Sequence, residues 1–257
     1  MKNERTIYYN SYTDDVVVSA NQDFKLPENY EWIGKGFGYH FLCVVIYAVA
    51  IIFTFFYTKL YWHLKVVGRD KLKETKGKGY FMYANHTQPF GDVFLPAWVN
   101  INRRIYTVVS QANYGIPVIG KLLLYLGALP LPEGIKGMKK FNEAISKRIS
   151  QKKCVIIYPE AHVWPCYTKI RPFGAGAFHY PVNQEAVVYS MTTTYQKRWI
   201  GKRPKITIYI DGPFYPNKEL RSKEQRQLLC QQVFEAMDNR SKASNYEYYN
   251  YIKNQEA

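Results

Sequence analysis

The sequence predicts an α/β fold, a layered mixed sheet flanked by helices, carried behind an N-terminal membrane-anchoring helix. Three observations lead there. Short apolar runs rich in aromatic and β-branched residues, at Tyr80–Ala84, Ile105–Val109, 155–158, 186–191 and 206–210, alternate with helical stretches. An uncharged apolar run at 41–57 precedes them all. A length of 257 residues allows one sizeable α/β domain with a real core plus an accessory segment.

Residues 1–37 form a polar extension, tyrosine-containing and without a convincing pattern up to about Asn29. The anchor helix is expected over 38–60. Its apolar run falls slightly short of the ~20 residues that cross a bilayer upright, but its flanks can lengthen it. Trp32, Tyr39 and His40 precede the run, and Lys59, Tyr61, Trp62, His63 and Lys65 follow it, the aromatic and basic belt of a membrane interface. A buried core helix is the soluble alternative, yet this run is apolar on all sides. Ala48-Val49-Ala50 mimics a signal-peptidase site but lies inside the run, so an uncleaved anchor is expected. Lys59, Lys65, Arg69, Lys71, Lys73, Lys76 and Lys78 crowd its C-terminal side, against Lys25 and Lys35 on the other. The positive-inside rule then puts the following domain on the cytoplasmic side of the cell membrane, its cations against anionic headgroups. Spanning the bilayer and entering one leaflet both remain open.

The domain proper is expected over 61–240. Tyr80–Ala84 reads as a buried strand, and Gln88-Pro89-Phe90-Gly91 as a turn, so His86 sits at a strand end, where open α/β sheets place their chemistry. A histidine there can take a proton from a hydroxyl, and a carboxylate on its other ring nitrogen fixes the tautomer. Asp92 is the nearest carboxylate and also opens a helix over 92–99. The strand at 155–158 leads into Pro159 and Glu160, and a helix follows Gly176. His179 within it reads as a packed histidine. Ser222 and Gln225 have capping-box spacing, and Leu229, Val233, Phe234 and Met237 share one face of the last helix. The tail, 241–257, is tyrosine-rich and undiagnostic.

Composition narrows the function. The formal charge is +15, from 35 Lys and Arg against 20 Asp and Glu. No zinc spacing, RNA-recognition signature or basic helical repeat points that charge at nucleic acid. The four cysteines, Cys43, Cys154, Cys166 and Cys230, have neither metal-like nor redox-pair spacing. No Gly-x-Ser-x-Gly elbow offers a serine nucleophile.

The stretch Asn85-His86 with Asp92 resembles the first block of the PlsC-like glycerolipid acyltransferases. Val155-Ile156-Ile157-Tyr158-Pro159-Glu160 is similar to that family's strand and Phe-Pro-Glu-Gly-Thr-Arg block, and 172–179 and 186–191 resemble its next helix and strand. The resemblance covers about residues 60 to 240. It implies a membrane-associated enzyme that moves an acyl group from acyl-CoA or acyl carrier protein to the hydroxyl of a lysophospholipid such as lysophosphatidate, with no metal or further cofactor. It implies His86 as base, oriented by Asp92. It also implies substrate contacts from Asn85, from Glu160, from His162 in place of the family's threonine, and from backbone near Gly174 and Gly176. Membrane lipids and the acyl carrier are the expected partners, with nothing to fix the oligomeric state.

Two departures stand out. Five residues, Thr87 to Gly91, separate His86 from Asp92 where family members usually have four. One residue turns a helical face by about 100°, but a loop with Pro89 and Gly91 can bulge and restore the contact. The family's phosphate-binding arginines are also missing from Glu160-Ala161-His162-Val163 and from 127–133. Lys169, Arg171 or Lys136 must then supply the charge, or the acceptor carries no phosphomonoester. An acyl-thioester hydrolase and a non-catalytic lipid-binding relative are the alternatives.

Overall fold

A computed structural model describes residues 5–17, 21, 23–75 and 77–254. Lys76 and the ends of the extension and tail lie outside these. In chain order the elements are β1 (Thr6–Tyr9), α1 (Phe37–Phe56), β2 (Lys65–Val67), β3 (Tyr80–Ala84), α2 (Gly91–Val99), β4 (Ile105–Val109), α3 (Ile119–Leu126) and β5 (Ala128–Pro130). There follow α4 (Ile135–Ser150), β6 (Cys154–Ile157), α5 (His179–Asn183), β7 (Val187–Gln196), β8 (Lys205–Phe214), α6 (Ser222–Ser241) and β9 (Asn250–Lys253).

Seven strands form the main sheet in the order β2-β8-β7-β3-β6-β4-β5. Only the β7–β8 pairing is antiparallel, which makes the sheet mixed. Both faces are covered, so the central strands are apolar on both sides. Along β3, Tyr80, Met82 and Ala84 enter one core with Leu95 of α2, while Phe81 and Tyr83 enter the other with Phe141 of α4 and Val233 of α6. β3 lies between β6 and β7, and the residues after β3 and β6 leave the sheet at the same, C-terminal edge. β7 runs parallel to β3 and continues past its end, from Val187 to Gln196.

The apolar helix runs through α1 and a π-helical turn at Tyr57–Tyr61, 25 residues from Phe37, long and apolar enough to cross a membrane. Only 17% of its most apolar stretch is buried, whereas a soluble core helix would be mostly covered. Its covered side packs on α2 and α3: Phe53 meets Phe94 at 5.1 Å, and Tyr39 stacks beside Tyr125 at 5.8 Å. Between α1, α2, α3 and the sheet lies a small apolar cavity of about 40 Å³, lined by Ile51, Thr54, Val93, Phe94, Thr107 and Leu123 among others.

Several sequence expectations shift. The runs at 186–191 and 206–210 become strands of ten residues each: β7 continues through buried Thr192, Thr193 and Thr194, and β8 continues from Asp211 to Phe214, where Asp211 pairs with Ser190 and Phe214 with Val188. Threonine is polar but β-branched, and suits a paired strand. The polar extension and the tail, patternless by themselves, pair in parallel as β1 and β9. At the start of α6 the cap is Arg221, whose N–H donates to Glu224 Oε2 at 3.1 Å. The expected partner, Gln225, instead donates its side-chain amide to the Leu220 carbonyl at 2.8 Å.

Candidate active site

β3 ends at Ala84, and the loop beyond it is held from two sides. On the β7 side, Asn85 makes a two-point contact with Thr193: its Nδ2 donates to the carbonyl at 3.0 Å, and its Oδ1 accepts from the N–H at 2.8 Å. Tyr195 donates its hydroxyl to Thr87 Oγ1 at 2.7 Å and accepts from Gln88 Nε2 at 2.8 Å. On the β6 side, the His86 N–H donates to Glu160 Oε2 at 3.0 Å. The His86 and Thr87 carbonyls accept from Trp164 N–H at 3.0 Å and Cys166 N–H at 2.8 Å. A loop with this many fixed ends cannot swing its histidine freely.

The lengthened bend closes. His86 Nδ1 lies 2.6 Å from Asp92 Oδ2, which also accepts from the Gln88 N–H at 2.9 Å. Asp92 sits in the first turn of α2, near its positive end, and its side chain is 4% exposed, against 20% for the imidazole. Burial pushes the Asp92 carboxyl above its ordinary pKa, and the His86 and Gln88 hydrogen bonds only partly offset that. Tyr158, the residue after β6, stacks on the imidazole with centroids 4.3 Å apart and planes at 24°. Its hydroxyl donates to the Asp92 backbone carbonyl at 2.7 Å, so one side chain grips both members of the pair.

Glu160 turns inward. Besides the His86 amide it accepts from the Arg171 N–H at 2.9 Å and from the Arg171 guanidinium at 3.0 Å, with both side chains essentially buried. Arg171 also donates to the His162 carbonyl and lies over the Trp164 ring at 4.9 Å. The Arg171 guanidinium, expected as a charge for an acceptor phosphate, is thus engaged in bracing the loop after β6. Asn85, expected as a substrate contact, has both ends of its amide engaged with β7.

The remaining candidates lie nearer solvent. Lys169 and Lys136 are exposed, and His162 is partly so, with Nδ1 3.7 Å from Asp15. A Cβ added to Gly174 or Gly176 would meet nothing within 4 Å, so packing within the chain does not demand glycine at either. His179 is half-buried; it bonds the Gly176 carbonyl through Nδ1 at 2.8 Å and lies against Tyr180 with ring centroids 3.8 Å apart and planes at 41°. Among the described residues no cluster of His, Cys, Asp and Glu could hold a metal. Sequence reasoning missed Thr87, Gln88, Tyr195, Trp164 and Tyr158 as supports. Only Tyr158, adjoining the Pro159-Glu160 pair, carried a local signal.

The chain also resembles known proteins. A crystal structure of the 1-acyl-sn-glycerophosphate (LPA) acyltransferase PlsC from Thermotoga maritima matches it with a TM-score of 0.55 at 15% identity, over 81% of this chain and 83% of that one. At that identity the likeness speaks for the fold alone. No curated protein matches the sequence. The family model described as Acyltransferase matches residues 63–194, half of the chain, spanning the β3 loop, α2 and the Glu160 loop. The chain belongs to the acyltransferase family.

Proposed function

We propose that this protein transfers a fatty acyl group from a thioester, acyl-CoA or acyl carrier protein, to the hydroxyl of a lysophospholipid such as lysophosphatidate. The observation that carries this reading is the 2.6 Å contact between His86 and Asp92 at the end of β3, in a chain of an acyl-transferring family. Asp92 holds Nδ1, which leaves Nε2 to take the acceptor's proton as its oxygen attacks the thioester carbonyl. The new C–O bond forms, the C–S bond breaks, and the departing thiolate takes up the proton from the imidazolium. No acyl-enzyme is required. The His86 and Gln88 amides already donate to carboxylates, so the N-terminus of α2 is the element left to face the tetrahedral oxyanion. The small cavity between α1, α2 and α3 is too narrow to hold an acyl chain as it stands, but Val93 and Phe94 line it directly after Asp92, which puts apolar surface beside the pair where the chain would enter.

The same reading places α1 in one leaflet. Its covered face follows the domain along most of its length: Arg104 donates to the Cys43 carbonyl at 3.2 Å, the Ile105 N–H donates to Tyr47 at 3.3 Å, and Tyr57 meets Phe94 at 5.9 Å. An upright crossing would drag α2 and α3 into the bilayer with it. With both flanks of the helix then on one side, the +15 net charge is what suits the anionic cytoplasmic leaflet.

Purified protein in detergent, given labelled acyl-CoA and a panel of lysolipids with and without a phosphomonoester, is expected to label a lysophospholipid. Label found only as free fatty acid would point to a hydrolase instead, and no turnover with any donor would leave a lipid-binding relative. With Arg171 withdrawn, Lys169 and Lys136 are the exposed cations available to a phosphate, and the panel reads whether one is needed.

A further inference from the structure

The turn between β7 and β8 carries Lys197-Arg198-Trp199-Ile200-Gly201-Lys202-Arg203-Pro204-Lys205. Trp199 is 100% exposed and Ile200 82%, while Lys197, Lys202, Arg203 and Lys205 are exposed around them. Two large apolar side chains held side by side in water are costly in a free-standing domain and mark a contact surface.

This tip is braced. Arg198 Nε donates to the Pro204 carbonyl at 3.1 Å, and its terminal nitrogen donates to the Tyr61 carbonyl. Tyr246 bonds the Lys202 carbonyl at 2.8 Å, and the Lys197 N–H reaches Asn245 Oδ1 at 3.0 Å. Arg203 lies over the Tyr61 ring at 4.5 Å, and the Ile206 N–H donates to the Trp62 carbonyl at 3.2 Å. Tyr61 is the last residue of the apolar helix, directly after exposed Leu60 and close behind exposed Phe56. The turn is therefore fixed at the end of the long apolar surface, where the chain leaves it.

We propose that residues 197–205 form a second membrane-contact site, with Trp199 and Ile200 entering the headgroup boundary of an anionic bilayer and the surrounding cations meeting lipid phosphates. The occupant follows from chemistry and place. Tryptophan favours the membrane interface, basic residues near a bilayer surface are drawn to anionic lipid, and the turn continues the exposed face of α1. Two attachment points fix the tilt of the domain, where a single helix would leave it free to roll. The site extends the one-leaflet placement of α1 and is independent of the acyl-transfer reading.

The test uses the full chain in vesicles of phosphatidylcholine and phosphatidylglycerol in equal parts, with and without bromine on the acyl chains, and needs no turnover. Trp199→Phe isolates the emission of Trp199 by difference. That component is expected to be blue-shifted and quenched by the brominated lipid, and Lys197→Glu with Lys202→Glu should weaken the quenching more in these vesicles than in pure phosphatidylcholine. A Trp199 component that emits as in water, or that is blue-shifted yet unquenched because another protein surface or a second copy covers it, would overturn the proposal.

Discussion

At Ala161 the backbone takes φ 64°, a left-handed value that costs an L-residue with a Cβ about 1 kcal/mol or more. The His162 N–H donates back to the Glu160 carbonyl at 2.8 Å, closing a three-residue turn whose central residue bears the strain. The resembling family has glycine at this position. Ala161→Gly is therefore expected to stabilise the protein by about 1 kcal/mol in denaturant unfolding, the relief outweighing the added freedom of the unfolded chain. Asp92 offers a second test at this scale. Because burial raises its pKa, the folded state keeps a proton that the unfolded chain has released between the ordinary carboxylate pKa and the raised one. Its contribution to stability falls as pH rises through that window. Asp92→Asn removes this slope, so thermal melts should show the variant gaining on the wild type from acid toward neutral pH. The pair itself was legible in the sequence, since His86 and Asp92 lie on one short loop between an apolar strand and a helix start. Tyr158, Tyr195 and Trp164 were not, because their contacts to that loop cross 66 to 108 positions of chain or join backbone groups that no side-chain pattern announces.

The elements on either side of the loop that carries His86 differ in what holds them. β7 supplies backbone through Thr193 and a hydroxyl through Tyr195, whereas the segment after β6 depends on the buried Glu160–Arg171 pair. Breaking such a pair leaves an uncompensated buried charge, so Glu160→Gln is expected to cost about 3–5 kcal/mol. Chemical unfolding would measure it, and the loss should exceed that of an exposed control such as Glu133→Gln, whose Lys25 partner is solvated. The strands β3 and β4 emerged with their expected bounds because each is an unbroken run of apolar and β-branched residues, buried throughout in β3 and half-buried from Thr107 onward in β4. β7 ran longer because threonines hid its continuation, β8 because Asp211-Gly212-Pro213 reads as a turn, and β2 and β5, of three residues each, were too short for any period to show. The setting of Arg171 was hidden for a related reason: charge in a sequence suggests solvent, and only the fold reveals the carboxylate waiting inside.

Across the whole molecule, charge, apolar surface and chemistry share one geometry. The +15 balance includes the cations beyond α1 and those of the β7–β8 turn, the exposed apolar face lies along α1, and the cavity beside α1 reaches the helix that carries Asp92. In the proposed reading the substrates are amphipathic, and an enzyme acting on them gains by holding its base near the bilayer surface, where hydroxyl and acyl chain arrive together. The most direct measurement compares wild type, His86→Ala and Asp92→Asn for transfer of labelled acyl chain to the preferred lysolipid, with circular dichroism to confirm folding. The account expects no detectable transfer for His86→Ala, and for Asp92→Asn a loss of about 10²-fold or more. Wild-type turnover by a folded His86→Ala protein would contradict it.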